Sequence, residues 1–260
     1  MCRLWEVIHL SDSRLYREGD RLVKVYLSAP YEYVGQAYER QKFVYDAGLP
    51  VPAVYGIKKI SETETALEME YIEGQPLVMM YQGKSEAELL EAQRAMVKLQ
   101  CQMYAIDAAR LPGLTDFYAE EITVTPYLAA HQKQVLLTLM KRLDKGKTSL
   151  CHGDIHPCNI MYSGERFWII DWEDASKGDP AADACMTYFY SMRWAAKDNN
   201  HSDEQYLRLF CEASGIPREE VLAWLPVIAG VQVNIEDDED RAYISKFIDD
   251  WFKENVHDRA

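Results

Sequence analysis

The sequence predicts an α+β chain in two lobes, a small β-rich lobe over residues 1–73 and a larger, mainly helical lobe over residues 74–260. Three observations predict it. Short runs of β-branched and aromatic residues, bounded by turn residues, dominate the first 73 positions. Longer stretches with apolar residues at helical spacing dominate the rest. Glu73-Gly74-Gln75-Pro76 interrupts both patterns and closes a connector at about 69–76.

Arg3 to Leu10, Arg14 to Glu18 and Arg21 to Leu27 read as strands, with Gly19-Asp20 as the turn between the second and third. Ser28-Ala29-Pro30 opens a helix, with Ser28 as N-cap and Pro30 in the first turn. It runs to about Ala47 and stops at Gly48, with Pro50 and Pro52 beyond. Val54 to Ile60 and Thr65 to Tyr71 form a further hairpin. After the connector, Ser85 to about Ala109 carries Leu89, Leu90, Met96, Leu99 and Met103 near helical spacing. A second long helix covers Pro126 to about Leu143. Asp179-Pro180 opens another, with Asp179 as N-cap and Pro180 at the first helical position. Further helices cover about 203–213, 217–229 and 238–256. No internal repeat is present, and low complexity is confined to the acidic run Glu236 to Asp240. A β lobe and an α lobe joined by a short connector suit a ligand held in a cleft between them.

Composition narrows the class. With 260 residues and 48% hydrophobic content, the chain can bury one large core or two modest ones. No run of about 18 apolar residues occurs, so no membrane partner is expected. The start lacks a signal-peptide core, and the six cysteines are dispersed, which reads as reduced thiols in a cytoplasm. A net charge of -14 makes nucleic acid a poor partner. Residues 1–73 carry -3 of it and the remainder -11, so the second lobe is suited to a cationic ligand, or is simply an acidic, soluble surface.

The densest chemistry lies in Cys151-His152-Gly153-Asp154-Ile155-His156-Pro157-Cys158-Asn159, followed by Trp168-Ile169-Ile170-Asp171-Trp172-Glu173. Asn159 to Tyr162 reads as a strand, Ser163-Gly164-Glu165 as a turn and Arg166 to Asp171 as the returning strand. Folding that hairpin puts Asn159 almost opposite Asp171, with Asp154 on the loop that enters it. Three oxygen-bearing side chains thus converge, which is what a hard cation needs. Mg²⁺ takes few protein oxygens and leaves its other positions to phosphates and water. Zinc is disfavoured: Cys151, His152, His156 and Cys158 crowd into eight residues without paired Cys-x-x-Cys knuckles.

This pattern resembles the aminoglycoside phosphotransferase and choline kinase family, relatives of the protein kinases. The likeness spans nearly the whole chain. It is strongest in His152-Gly153-Asp154-Ile155-His156-Pro157-Cys158-Asn159, Ile169-Ile170-Asp171-Trp172 and Gly178-Asp179-Pro180-Ala181-Ala182-Asp183. The resemblance implies a two-lobed, protein-kinase-like fold that binds ATP and Mg²⁺ and moves the γ-phosphate to a hydroxyl of a small molecule. It implies that Asp154 orients the acceptor hydroxyl and takes its proton, and that Asn159 and Asp171 hold Mg²⁺ on the phosphates. It implies that Lys24, on the strand face shared with Leu22 and Tyr26, grips the α- and β-phosphates and pairs with a helix glutamate. Glu39 is the chosen partner, with Glu32 on the same helix face, although the family's register falls nearer Ala37.

The resemblance also implies that the carbonyl of Glu70 and the amide of Ile72 read the adenine edge. The phosphate turn falls at Ser11-Asp12-Ser13 and lacks glycine. Backbone amides and the hydroxyls of Ser11 and Ser13 would hold phosphate there, with Asp12 turned away. Asp183 would brace the catalytic loop and His152 would serve as its scaffold. Glu173 is either a solvated carboxylate or, as in choline-kinase-like members, a group that touches substrate or a second metal. The acidic balance and Tyr118, Tyr188, Tyr190, Trp194 and Trp224 lean towards an ammonium-bearing alcohol as acceptor. Two other classes remain. One is a catalytically degenerate nucleotide-binding module of the same fold, suggested by the missing glycine loop. The other is a dimetal phosphoesterase, suggested by the Asp-x-His of Asp154 and His156 but lacking a Gly-Asn-His stretch. Neither oligomeric state nor the identity of the acceptor is encoded in these motifs.

Overall fold

A computed structural model describes residues 8–9, 13–80, 85–164, 166–198, 201–235 and 237–256. In chain order its elements are β1 (Ile8–His9), β2 (Ser13–Glu18), β3 (Arg21–Tyr26), α1 (Tyr31–Asp46), β4 (Val54–Lys59), β5 (Thr65–Glu70), β6 (Gln75–Pro76), α2 (Glu86–Tyr104), α3 (Leu114–Val124) and α4 (Ala130–Leu143). There follow β7 (Ser149–Cys151), β8 (Ile160–Ser163), β9 (Arg166–Ile169), β10 (Ser176–Gly178), α5 (Pro180–Asp198), α6 (Ser202–Ser214), α7 (Arg218–Leu222), α8 (Leu225–Gln232) and α9 (Asp238–Asn255). The architecture is α+β, as the sequence predicts.

Two compact units result: Met1–Glu88 with Pro157–Ala175, and Leu89–His156 with Ser176–Ala260. A cut at 73/74 divides the chain differently, and the reason is a strand pairing that spacing along the chain does not reveal. β6 pairs with β8, which pairs with β9, so the hairpin after position 157 belongs with the first strands. Gly74 lets the two chains approach, since a Cβ there would lie 2.5 Å from the Tyr162 carbonyl oxygen.

The first unit is built on an antiparallel sheet in the order β1-β2-β3-β5-β4. Strand alternation sorts its side chains. Tyr26, Leu67 and Met69 join Val34 of α1 in one cluster, with Leu22, Tyr38 and Ile57 packed against it. Val23, Val25 and Ala66 form the other face. α1 turns Val34, Ala37, Gln41 and Val44 inward at helical spacing, and buried Gln41 donates to the Pro52 carbonyl at 2.9 Å. The helix starts at Tyr31 rather than at Ser28. A residue before proline is driven out of the helical region, so Ala29 cannot continue a helix and Pro30, at ψ 147, takes the cap position. It ends at Gly48, where φ is +85.

The second unit is helical around a short β7–β10 ladder. α5 and α8 are buried through most of their length, and small residues such as Ala181, Ala184 and Ala229 let neighbours approach. Asp179 caps α5 by accepting the Ala181 amide at 2.9 Å. α3 is a helix the sequence reading does not anticipate; Leu114, Tyr118 and Ile122 bury its inner face at intervals of four. The stretch expected as one helix over 217–229 is two, α7 and α8, because Pro226 sits in the first turn of α8 and cannot donate to a preceding turn. Among the described residues no helix is long and apolar enough to cross a membrane.

Gly74→Ala should destabilise the protein by about 1–3 kcal/mol, because the new methyl group overpacks against backbone. Gly56→Ala, with nothing within 4 Å of the added carbon, should stay within about 0.5 kcal/mol of wild type. Urea unfolding of the two variants checks the contrast.

Candidate active site

The residues expected to carry chemistry fall into two groups, one in each unit. In the helical unit, Asp154 sits on the loop after β7. Gly153 before it has φ +88, a conformation that side-chain-bearing residues rarely adopt. The loop is tied to α5 by Asp183, whose carboxylate accepts the backbone amides of His152 at 3.1 Å and Gly153 at 2.8 Å and the Tyr104 hydroxyl at 3.1 Å. Burial pushes the Asp183 carboxyl up, partly offset by His152 and by those donors. Thr187 adds a second tie, donating to the Ile155 carbonyl at 2.7 Å. His152 is fully buried and its Nδ1 accepts the Asp154 amide at 3.3 Å, as befits a scaffold.

The Asp154 carboxylate is itself held from two sides. Oδ1 accepts the Tyr190 hydroxyl at 2.6 Å, and Oδ2 lies 3.4 Å from His156 Nε2. Burial alone would raise this carboxyl, but His156 and Tyr190 hydrogen-bond the ionised form and hold it below the usual aspartate range. Burial and the neighbouring carboxylate raise Tyr190, so it remains a donor. Trp194 stacks on Tyr190 at 6.3 Å, and His156 meets both rings edge-on.

In the sheet-bearing unit, the hairpin register pairs Ile160 with Ile169, and the Ile170 amide donates to the Asn159 carbonyl at 3.0 Å. Asn159 and Asp171 therefore stand at the same end of the hairpin, offset by one residue. Asn159 is buried at the end of a single 3-10 turn, Pro157–Asn159. Asp171 has φ +66, the one positive φ at a non-glycine residue among those described, a conformation Asp adopts at modest cost. Trp172 turns inward and donates its Nε1–H to the Ile169 carbonyl at 3.1 Å. Asp171 and Glu173, on either side of it, both reach Lys24. Lys24 Nζ lies 3.3 Å from Asp171 Oδ1 and hydrogen-bonds Glu173 Oε1. Burial opposes the lysine charge, but the Asp171 and Glu173 carboxylates outweigh it and hold Lys24 above the ordinary lysine value.

The carboxylates bonded to Lys24 in the structure are therefore Asp171 and Glu173. Glu39 is exposed on α1, as is Glu32, because the inward stripe of that helix passes through Ala37 and Gln41. Glu173 is there instead, and it is no solvated carboxylate: its side chain is only 20% exposed. Glu70 ends β5, and Ile72 lies half-buried in the irregular segment before β6. Ser13 is buried at the start of β2, paired with Tyr26. Ser11 lies outside the described residues. Sequence reasoning missed the role of Glu173 at Lys24 and of Tyr190 at Asp154. The Asp-x-Glu spacing and the placement of Tyr190 seven residues after Asp183 were the available signals.

Asn159 and Asp171 offer one amide and one carboxylate oxygen, a donor set that fits a hard divalent cation whose other positions go to phosphate and water. Among the described residues no three His, Cys, Asp or Glu side chains gather into a fuller cage.

A family model described as the phosphotransferase enzyme family matches residues 9–224. Solved structures match over most of the chain. A thermostable variant of the aminoglycoside phosphotransferase APH(4)-Ia, in a ternary complex with ADP and hygromycin B, is 19% identical, covers 97% of this chain and 94% of its own, and has a TM-score of 0.69. The aminoglycoside phosphotransferase APH(3'')-Id from Streptomyces rimosus, in complex with ADP and streptomycin, is 17% identical over 87% of this chain and 92% of its own, with a TM-score of 0.64. At such identities the likeness is one of fold, a protein-kinase-like one. No curated protein sequence matches.

Tyr190→Phe removes a donor to the ionised Asp154 carboxylate while leaving the burial that disfavours its charge. The Asp154 pKa should rise, and the ionised form should persist over a narrower range at low pH. Carbon NMR titration of labelled aspartates in the two proteins measures the shift; an unchanged Asp154 titration would refute the assigned role.

Proposed function

The chain belongs to the phosphotransferase enzyme family, and from that premise we propose that it transfers the γ-phosphoryl group of ATP to a hydroxyl of a small molecule. The observation that carries this reading is Asp154, held ionised on a loop braced by Asp183 and followed five residues later by Asn159.

Phosphoryl transfer asks the protein for position and charge more than for covalent chemistry. Asp154 Oδ accepts a hydrogen bond from the acceptor hydroxyl, aims its oxygen and takes its proton as the new P–O bond forms. A carboxylate kept well ionised is a weak base, and it suffices because the proton becomes acidic only as the bond develops. Tyr190 and His156 fix the direction of that carboxylate. Asn159 and Asp171 would hold Mg²⁺, which when bound supplies charge neutralisation on the phosphates. Lys24 contributes a second cation to the phosphates. The end of the hinge strand and the segment after it, at the Glu70 carbonyl and the Ile72 amide, would offer backbone groups to adenine.

The acceptor class follows from the surroundings of Asp154. The stacked Tyr190 and Trp194 rings and the -11 charge of residues 74–260 favour an alcohol that also bears an ammonium group, as amino alcohols and aminoglycosides do. A cytoplasmic location, where ATP is plentiful, belongs to the same reading. The degenerate-module alternative is disfavoured because each of Asp154, Asn159, Asp171 and Lys24 is present.

Incubation with Mg·ATP and a panel of aminoglycosides, choline, ethanolamine and sugars should give acceptor-dependent ADP release. Asp154→Ala should lower kcat by about 10²–10⁴-fold while Mg·AMP-PNP still binds. Nucleotide binding with no turnover on any acceptor would favour the degenerate module, and turnover indifferent to Asp154→Ala would overturn the mechanism.

A further inference from the structure

We propose that Glu173 replaces the helix glutamate as the fixed anionic partner of Lys24, making it a positioning residue that aims the lysine ammonium. The inference rests on the reading of Lys24 as a phosphate-gripping group.

Several donors converge on this one residue. Glu173 Oε1 accepts from Lys24 Nζ and from the Tyr26 hydroxyl, both on β3. Oε2 accepts the Tyr33 hydroxyl at 3.3 Å, and Arg40 donates to the Glu173 backbone carbonyl. Tyr33 and Arg40 both come from α1. The residue is therefore gripped at side chain and backbone by a strand and a helix. A carboxylate with several strong donors and little exposure is held in one place, unlike a surface ion pair whose long side chains wander. Burial and Glu173 push Tyr33 up to about 12, so it stays a donor at neutral pH.

The chemistry of α1 points the same way. A helix that supplied the lysine's anion would turn a carboxylate towards it. This one turns Ala37 and Gln41 inward, leaves Glu32 and Glu39 exposed, and presents a phenol to the Glu173 carboxylate and a guanidinium to its backbone carbonyl. The phenol receives the anion, and the guanidinium fixes the backbone that carries it. A glutamate on α1 at that place would face Glu173 as a like charge. The helix has the complement of a carboxylate that comes from the other side.

The division of labour between the two acids follows. Asp171 is 45% exposed and Glu173 20%. Asp171 is the better placed to give its oxygens to a cation. Glu173, locked by Tyr26, Tyr33 and Arg40, remains with Lys24 when Asp171 is engaged.

The test compares Glu173→Gln, Glu173→Asp, Glu39→Gln and Lys24→Met in the full-length protein, each checked for folding by circular dichroism. The first readout needs no nucleotide: the rate at which an amine-selective acylating reagent modifies Lys24 at one fixed pH, followed by peptide mass spectrometry. Loss of the carboxylate in Glu173→Gln should make Lys24 several-fold more reactive, since a neutral amide holds the ammonium more loosely than the charge-assisted bond does. Glu173→Asp should keep most of the wild-type protection and Glu39→Gln all of it. The second readout is Mg·AMP-PNP affinity. Glu173→Gln should weaken it about tenfold in the wild-type background and not at all on top of Lys24→Met.

Unchanged Lys24 reactivity in Glu173→Gln, or a larger change in Glu39→Gln, would overturn the proposal. Should Glu173→Gln unmask Lys24 while Lys24→Met leaves nucleotide affinity intact, the ion pair stands and the phosphate-gripping role of Lys24 falls.

Discussion

The buried carboxylate of Asp183 determines how the Asp154 loop is held. A strand that ends and turns leaves consecutive amides without ladder partners, and in a protein interior such amides must find acceptors. Asp183 meets that need for His152 and Gly153 together, from the first turn of a helix whose own start is fixed by Asp179 and Pro180. Helix, cap and loop thus form one rigid piece. The arrangement is costly for the carboxyl, which is fully buried and has its pKa raised. It persists because the loop it organises would otherwise leave two amides unsatisfied. Gly153, having no Cβ, takes φ +88 without strain, and its amide is bonded to Asp183.

Asp154 and Asp183 show how environment divides one residue type between two tasks. Asp183 is fully buried and Asp154 partly so, and burial opposes the charge of each. At Asp183 burial wins, and the carboxyl serves as a structural acceptor. At Asp154 a phenol and an imidazole bond directly to the ionised oxygens, and the balance reverses. The result is a partly exposed carboxylate whose orientation is set by Tyr190 and His156. The aromatic stack of Tyr190 and Trp194 therefore has two physical consequences, since it places the donor that tunes Asp154 and presents a π-surface beside it.

Much of this was legible in the sequence wherever the signal is local. Turn residues at Gly19-Asp20, the stop at Gly48 and the Asp179-Pro180 cap are read from a few neighbours, and each holds. The Asn159–Asp171 hairpin is local too, and its register differs from expectation only at the ends. Features set by distant partners were not legible. Two-residue β6 has no pattern of its own and exists because β8 is there to pair with it, which is also why the compact units do not divide at residue 73. α3 buries only three residues through a mixed stretch with β-branched positions, so its periodicity is weak evidence until the rest of the core is in view. Ser28 lost the cap because a proline two residues on overrode its hydrogen-bonding preference.

The lysine partner illustrates the same limit and its resolution. Sequence spacing can place a glutamate on a helix face, but it cannot say which face meets the sheet. α1 is rotated so that Ala37 and Gln41 pack inward, which leaves Glu39 exposed, and the carboxylates bonded to Lys24 are those of Asp171 and Glu173. Taken alone, a helix without its glutamate argues for a degenerate member of the family. The cluster around Glu173 answers that argument on physical grounds. A lysine only 15% exposed, facing two carboxylates, is not an orphan left by drift, because an unpaired buried ammonium would lose its charge or find water. Tyr26 and Tyr33, from a strand and a helix, both donate to the carboxylate at that one position while Arg40 holds its backbone carbonyl, an arrangement hard to reconcile with a site no longer in use. In the reading proposed above, the negative charge beside Lys24 comes from the segment that follows Asp171 rather than from the helix.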